Sequence, residues 1–140
     1  GDTFRWKSEN VSTNEVGEII SGHDDIVFAN VYGVVIPGTD GRAGMAAIVF
    51  ADNVEEADLK SISDHINNNL PSYARPVFLR VLQELPTTST HKLQKNDLRE
   101  QAFHLDKTGD DLYVLHPDTR EYERLDSDFY DRIVRREVSF

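Results

Sequence analysis

Two apolar segments around one cluster of breakers limit the fold more than anything else in the chain. Residues 26–36 are dense in Val, Ile, Phe and Tyr, and Met45 to Phe50 is apolar almost throughout. Such side chains suit a pleated, half-buried surface. Between them, Pro37-Gly38-Thr39-Asp40-Gly41 gathers turn-forming residues. This predicts a long antiparallel hairpin with its loop at residues 37–43.

The remaining pattern surrounds that hairpin. Leu59, Ile62, Ile66 and Leu70 recur at helical spacing, so residues 55–69 read as an amphipathic helix that Pro71 ends. Val77, Leu79 and Val81 alternate as a third strand. Upstream, Phe4-Arg5-Trp6 reads as a short strand. Ser12-Thr13-Asn14-Glu15 has capping-box spacing for a helix through Val16, Ile19 and Ile20, with Gly22 as a left-handed C-cap. Trp6 to Ser12 is then expected as a strand-to-helix turn, whose backbone N–H groups favour anions. Asn96 or Asp97 opens a short helix to Phe103. Leu112–Leu115 and Tyr122–Leu125 flank His116-Pro117-Asp118-Thr119 as a second hairpin, and Asp126 or Ser127 caps a last helix. The sum is a small α+β domain: a three-stranded sheet with flanking helices, an N-terminal short strand or hairpin, and a C-terminal hairpin–helix extension.

Composition narrows the partners. The chain has 140 residues, a formal net charge of −10 and no cysteine. That length suits one domain. The acidity argues against nucleic acid as a partner, and against membrane attachment through this domain. Without cysteine there is no disulfide, no thiolate nucleophile and no Cys-ligated metal. No apolar run reaches the roughly 20 residues that span a bilayer. His23, His65, His91, His104 and His116 have no recognisable ligand spacing, so no metal site is expected.

Three segments combine residues that could carry chemistry. Leu85-Pro86-Thr87-Thr88-Ser89-Thr90-His91-Lys92 places a lysine on a polar loop. There it either stabilises charge passing between a carboxylate and a phosphoryl group or is an ordinary surface lysine. Trp6 to Ser12 offers an anion-facing turn or a plain capped one. Leu70-Pro71-Ser72-Tyr73-Ala74-Arg75-Pro76 presents Tyr73 and Arg75 as a recognition surface, or packs rigidly between helix and strand.

Their order and spacing resemble the C-terminal domain of the acyl/aryl-CoA synthetase, peptide-synthetase adenylation domain and luciferase superfamily. Within it, the match is to the fatty acid transport protein or very-long-chain acyl-CoA synthetase branch. Carrying the resemblance are Gly1-Asp2-Thr3-Phe4-Arg5-Trp6-Lys7 with Glu9-Asn10-Val11-Ser12-Thr13, the hairpin from Tyr32-Gly33-Val34 to Ala43-Gly44-Met45-Ala46, and Leu70 to Pro76 with Phe78-Leu79-Arg80. The Pro86–Lys92 loop matches the pattern Pro-x-Thr-x-Ser-Gly-Lys in part, and Leu112 to Tyr130 resembles the branch's C-terminal extension, here residues 104–140.

The resemblance implies a mobile C-terminal domain, residues 1–140, of a fatty acid–CoA ligase. Its large N-terminal domain, the principal partner, lies outside this sequence. Such enzymes form an acyl-adenylate from a fatty acid and ATP, then pass the acyl group to CoA, with Mg²⁺ accompanying ATP in the large domain. Lys92 would be the adenylation lysine. Trp6, Lys7, Ser8, Glu9 and Asn10 would form the loop facing CoA and the acyl-adenylate, and Gly1 and Asp2 would lie by the hinge. The isolated chain is expected to be inactive. The parent is expected in the cytoplasm or on the cytoplasmic face of a membrane. Two departures stand out: Ser8 replaces a usual glycine, and His91 replaces the glycine before the lysine, with Lys95 as the alternative to Lys92. Ser8 keeps open an enzyme that makes acyl-AMP without using CoA. A free-standing α+β binding module is the third reading.

Overall fold

The computed structural model describes residues 2–86 and 95–140. Its elements are β1 Thr3–Trp6, β2 Glu9–Ser12, α1 Thr13–Ser21, β3 Ile26–Val34, β4 Ala43–Phe50, α2 Leu59–Asn69, β5 Phe78–Val81, α3 Lys95–Gln101, β6 Asp111–Leu115, β7 Tyr122–Arg124 and α4 Ser127–Val134. A single 3₁₀ turn, Ser72–Ala74, lies between α2 and β5.

The central hairpin is as expected. β3 and β4 pair antiparallel from Ile26↔Phe50 to Val34↔Ala43, with an irregularity between Ile26 and Phe28. β4 is buried along nearly its whole length because alternate residues enter two different cores. Met45, Ala47 and Val49 join one with Tyr32, Phe78, Leu98 of α3 and Ile133 of α4. Ala46 and Ile48 join the other with Val16 and Ile20 of α1 and Ile62 and Ile66 of α2. The sheet is thus the middle layer, which is why Met45–Phe50 reads as continuously apolar instead of alternating.

β5 pairs parallel with β4, from Met45↔Phe78 to Ile48↔Val81. Parallel neighbours need a crossover, and α2 supplies it. The α+β class and the C-terminal hairpin are as expected, but the sheet is wider than three strands. β6 pairs antiparallel with β5, and β7 with β6, so the order is β3-β4-β5-β6-β7. Residues of the C-terminal segment complete the core: the Tyr122 ring is fully buried and its hydroxyl donates to the Pro76 carbonyl. Ser63 fixes the same strand to α2, since its Oγ accepts from Tyr122 N–H at 2.8 Å and donates to Leu59 O.

Caps follow side-chain chemistry closely. Ser12 Oγ accepts from Glu15 N–H at 3.3 Å, and Asp126 Oδ1 accepts from Phe129 N–H at 2.8 Å. α3 ends at Gln101 instead of Phe103, and the ends of two other helices also differ from expectation. α2 begins at Leu59, not 55, because Asp58 Oδ1 takes the Ser61 N–H and starts the helix there. Gly22 sits at φ −73°, right-handed, so α1 ends without a left-handed cap.

Candidate functional site

The segment expected as a strand-to-helix turn is instead a hairpin. β1 and β2 pair from Thr3↔Ser12 to Trp6↔Glu9, leaving Lys7 and Ser8 as the two-residue loop. Both have positive φ, 52° and 66°, which is the type I′ arrangement that matches strand twist. Neither residue is Gly, Asn or Asp, so the usual signal for this turn is missing from the sequence. The helix N-terminus that was to face an anion lies at Ser12, at the other end of β2.

Arg5 supports the turn. Its Nη1 donates to Asn10 Oδ1 at 3.2 Å and its Nη2 to the Ser8 carbonyl at 3.1 Å. The hairpin is seated on the sheet by glycines. Gly33 and Gly44 face each other across β3 and β4, and a Cβ on Gly33 would come within 2.9 Å of Phe4. Gly41 lets the 37–42 loop touch β1: Arg42 N–H donates to Arg5 O at 2.8 Å, and a Cβ at Gly41 would stand 2.4 Å from that same oxygen.

Of the expected CoA-facing residues, the turn exposes Lys7, Ser8, Glu9 and Asn10, while Trp6 is only 5% exposed and packs in the core. Trp6 therefore anchors the hairpin. Two cavities, of about 570 Å³ and about 380 Å³, adjoin the turn, and both are lined by Trp6, Lys7 and Phe140. Arg75 is not a free recognition group: its Nε donates to Leu70 O and its Nη2 to Asn67 O, both at 3.0 Å, capping the end of α2.

Asp2 gathers a second cluster. Its carboxylate is bonded by Lys95 and lies 3.4 Å from Arg99, both on α3, while its carbonyl accepts from Thr13 N–H at 3.1 Å. The hydrogen bond from Lys95, with the charges of Lys95 and Arg99, holds the carboxyl below its ordinary value despite partial desolvation. Lys95 is thus engaged with the residue that precedes β1. Lys92 and the rest of its loop, residues 87–94, lie outside the described residues, as does Gly1. Among the described residues no group of three or more His, Asp or Glu side chains could hold a metal ion. Nor is any described helix long and apolar enough to cross a membrane.

A two-layered cover on a mixed sheet, with a glycine-seated hairpin beside its first strand, has clear counterparts. The family of AMP-binding enzyme C-terminal domains matches residues 15–92. The chain belongs to that family. Long-chain fatty acid transport protein 6 of Mus musculus is 41% identical over 138 residues, covering 99% of this chain and 22% of that protein. Long-chain fatty acid transport protein 3 of Homo sapiens is 49% identical over 115 residues, 82% of this chain and 17% of that protein. Among solved structures, a fatty acyl CoA synthetase of Mycobacterium tuberculosis superposes with a TM-score of 0.58 at 26% identity, covering 72% of this chain and 20% of that one. The chain therefore spans about a fifth of the length of the relatives it matches. The AMP-binding C-terminal domain match ends at Lys92, so β6, β7 and α4 lie beyond it.

Asn67 went unread in the sequence, and Arg5 and Gly41 were read only as a strand residue and a turn residue. Their partners, the Arg120 carbonyl for Asn67, the Ser8 carbonyl and Asn10 for Arg5, and the Arg5 carbonyl beside Gly41, belong to other segments or to a turn with no turn signature, and a single sequence carries no mark of either.

Proposed function

We propose that this chain is the mobile lid of a long- or very-long-chain fatty acid–CoA ligase, one domain presenting two surfaces in turn to one active site. The observation that carries the reading is the β1–β2 turn: four exposed residues, Lys7 to Asn10, held out on a hairpin that Trp6, Arg5 and Gly41 fix to the sheet. A CoA arm passing the turn needs backbone that does not yield, and this turn is braced on both strands.

Lys92 supplies the other surface. In the adenylating pose its ammonium stabilises charge on the fatty-acid carboxylate and the α-phosphate as the acyl-adenylate forms. ATP, its Mg²⁺ and the acyl chain are bound mainly by the large N-terminal domain, and this domain's partner is that domain. Rotation then brings the Lys7–Asn10 turn to the adenylate for transfer to the CoA thiol, so that gating of one pocket separates two chemistries. Asp2, tied to α3 and α1, fixes where the small domain starts to turn. Residues 104–140 are the branch's own extension.

The acyl-AMP-only reading rested on Ser8. Its φ of 66° puts serine at the second position of the I′ turn, so the departure from glycine is compatible with that turn. The test is made on the full-length parent with a long-chain fatty acid. ATP–pyrophosphate exchange should collapse in Lys92→Ala by about 10²–10³-fold, as for loss of one group that stabilises developing charge. Unchanged exchange refutes the lysine assignment, and a parent that never forms acyl-CoA refutes the ligase.

A further inference from the structure

A cation of the central sheet is sunk in the core. Among the described residues, Arg80 is the charged one that is buried, at 5% exposure. It stands on β5, in register with Ala47 of β4 on one side and Leu112 of β6 on the other. Taking a guanidinium out of water is costly, and only close pairing with further hydrogen bonds offsets the cost. Both are present: Arg80 Nε donates to Asp110 Oδ2 at 2.8 Å, and Nη1 donates to Gln101 Oε1 at 2.6 Å. Asp110 is itself held just ahead of β6, where its N–H donates to Thr108 Oγ1 at 3.1 Å. A buried ion pair is a weak source of stability beside well-packed apolar residues of similar volume. Here it joins three elements: β5, the last residue of α3 and the approach to β6.

Side chains thus clamp α3 at both ends. Its first residue, Lys95, bonds the Asp2 carboxylate at 2.5 Å, and its last, Gln101, bonds Arg80. Between them, Leu98 is buried in the same core as Phe78 of β5. In the sequence, the chain leaves β5 one residue after Arg80 and enters α3 at Lys95, so the connection of residues 82–94 includes Lys92. The bond from Arg80 to Gln101, 21 residues apart, closes that stretch of chain at its base. A lysine ammonium acts only as well as the backbone beneath it is placed. At a reacting centre, a displacement of about 1 Å from a change far away costs on the order of 10²-fold in rate.

We propose that Arg80, acting through Gln101 and Asp110, is a positioning residue for the adenylation half-reaction: it fixes the end of α3 on β5, and with it the two points between which the chain carries Lys92. The inference rests on the reading of Lys92 above and adds to it a residue that touches no substrate. Arginine is required, and not merely a cation, because its rigid fork holds two acceptors at once, which an ammonium on a flexible stem does not reproduce. Among the described residues the side-chain bonds of Arg80 go to Asp110 and Gln101, and none reaches the Lys7–Asn10 turn. Thioester formation is therefore spared when this arrangement is loosened.

The test uses the full-length parent. Gln101 is half-buried, so Gln101→Leu removes the acceptor and leaves the Arg80–Asp110 pair, while Gln101→Glu keeps an acceptor in place. Arg80→Lys keeps the charge and loses the fork. Each variant is assayed for ATP–pyrophosphate exchange and for thioester formation from preformed acyl-adenylate and CoA. Gln101→Leu should lower kcat for exchange about 10- to 100-fold, with KM for ATP and thioester formation at the parent's values. Gln101→Glu should exchange at close to the parent's rate, and Arg80→Lys should share the lesion of Gln101→Leu. If Arg80→Lys fails to fold, Gln101→Leu decides alone. Unchanged exchange in Gln101→Leu, or an equal fall in both half-reactions, overturns the proposal. Lys92→Ala, alone and combined with Gln101→Leu, separates the two readings. Residues that act as one unit give losses that do not add, so Gln101→Leu should cost little more exchange once Lys92 is gone. Full additivity, with Lys92→Ala itself impaired, overturns the positioning role and leaves the lysine reading standing. Normal exchange in Lys92→Ala refutes the lysine reading, and the positioning of Lys92 falls with it.

Discussion

Replacing Gly41 by Ala should unseat the β1–β2 hairpin. Gly41 has φ +73°, where any L side chain is strained by about 1–2 kcal/mol. The new Cβ would also stand 2.4 Å from Arg5 O, a contact that backbone must move to relieve. That oxygen accepts the Arg42 N–H at 2.8 Å, so moving it weakens a hydrogen bond worth about 1 kcal/mol net. Together these give about 2–3 kcal/mol of destabilisation. Gly109 is the internal control, since a Cβ there meets nothing within 4 Å. Urea unfolding of the chain, at constant m-value, reads both. Gly41→Ala should lose about 2–3 kcal/mol while Gly109→Ala stays within about 0.5 kcal/mol. Equal effects at the two glycines would refute the seating of the hairpin on the 37–42 loop.

Three further outcomes follow from single contacts. Ser8→Gly should stabilise the chain by about 0.5–1 kcal/mol, because glycine adopts φ near 66° without strain; a loss in urea unfolding would contradict the I′ turn. Tyr122→Phe should cost about 1–3 kcal/mol by orphaning the buried Pro76 carbonyl, and a neutral result in thermal unfolding would show that water replaces the hydroxyl. Asp2 has a carboxyl held below its ordinary 3.8, so its ion pairs stabilise the fold above that pH and lose their effect as pH falls through the depressed value. The carboxylate is 41% exposed, so Asp2→Asn should cost no more than about 1 kcal/mol at pH 7. The gap from the parent should shrink as pH falls below that ordinary value. A gap that persists undiminished would assign the effect to packing.

Elements whose cause is local were legible in the sequence. The β3–β4 hairpin declares itself through Pro37-Gly38 and two apolar runs, and Ser12 and Asp126 cap as their side chains dictate. Elements whose cause is distant were not. β6 and β7 extend the sheet because Leu112 and Val114 enter the same core as Met45 and Phe78, a pairing across more than thirty residues that no window of sequence displays. The Lys7–Ser8 turn was misread because its geometry is imposed by Arg5, Asn10 and the 37–42 loop against the preferences of its own two residues. At the candidate site, the same division holds. Exposed Lys7 to Asn10 were visible as a polar run, while Trp6 proved to be core and Arg75 a helix cap, because burial and backbone partners decide the role of a large side chain.

The central claim is that two surfaces of one domain serve two half-reactions, and a crossed measurement tests it most directly. In the full-length parent, Lys92→Ala and Ser8→Trp would each be assayed for ATP–pyrophosphate exchange and for thioester formation from preformed acyl-adenylate and CoA. The account predicts opposite lesions: Lys92→Ala loses exchange and keeps thioester formation, and Ser8→Trp, which fills the path beside the braced turn, keeps exchange and loses thioester formation. Equal losses of both half-reactions in both variants would contradict it.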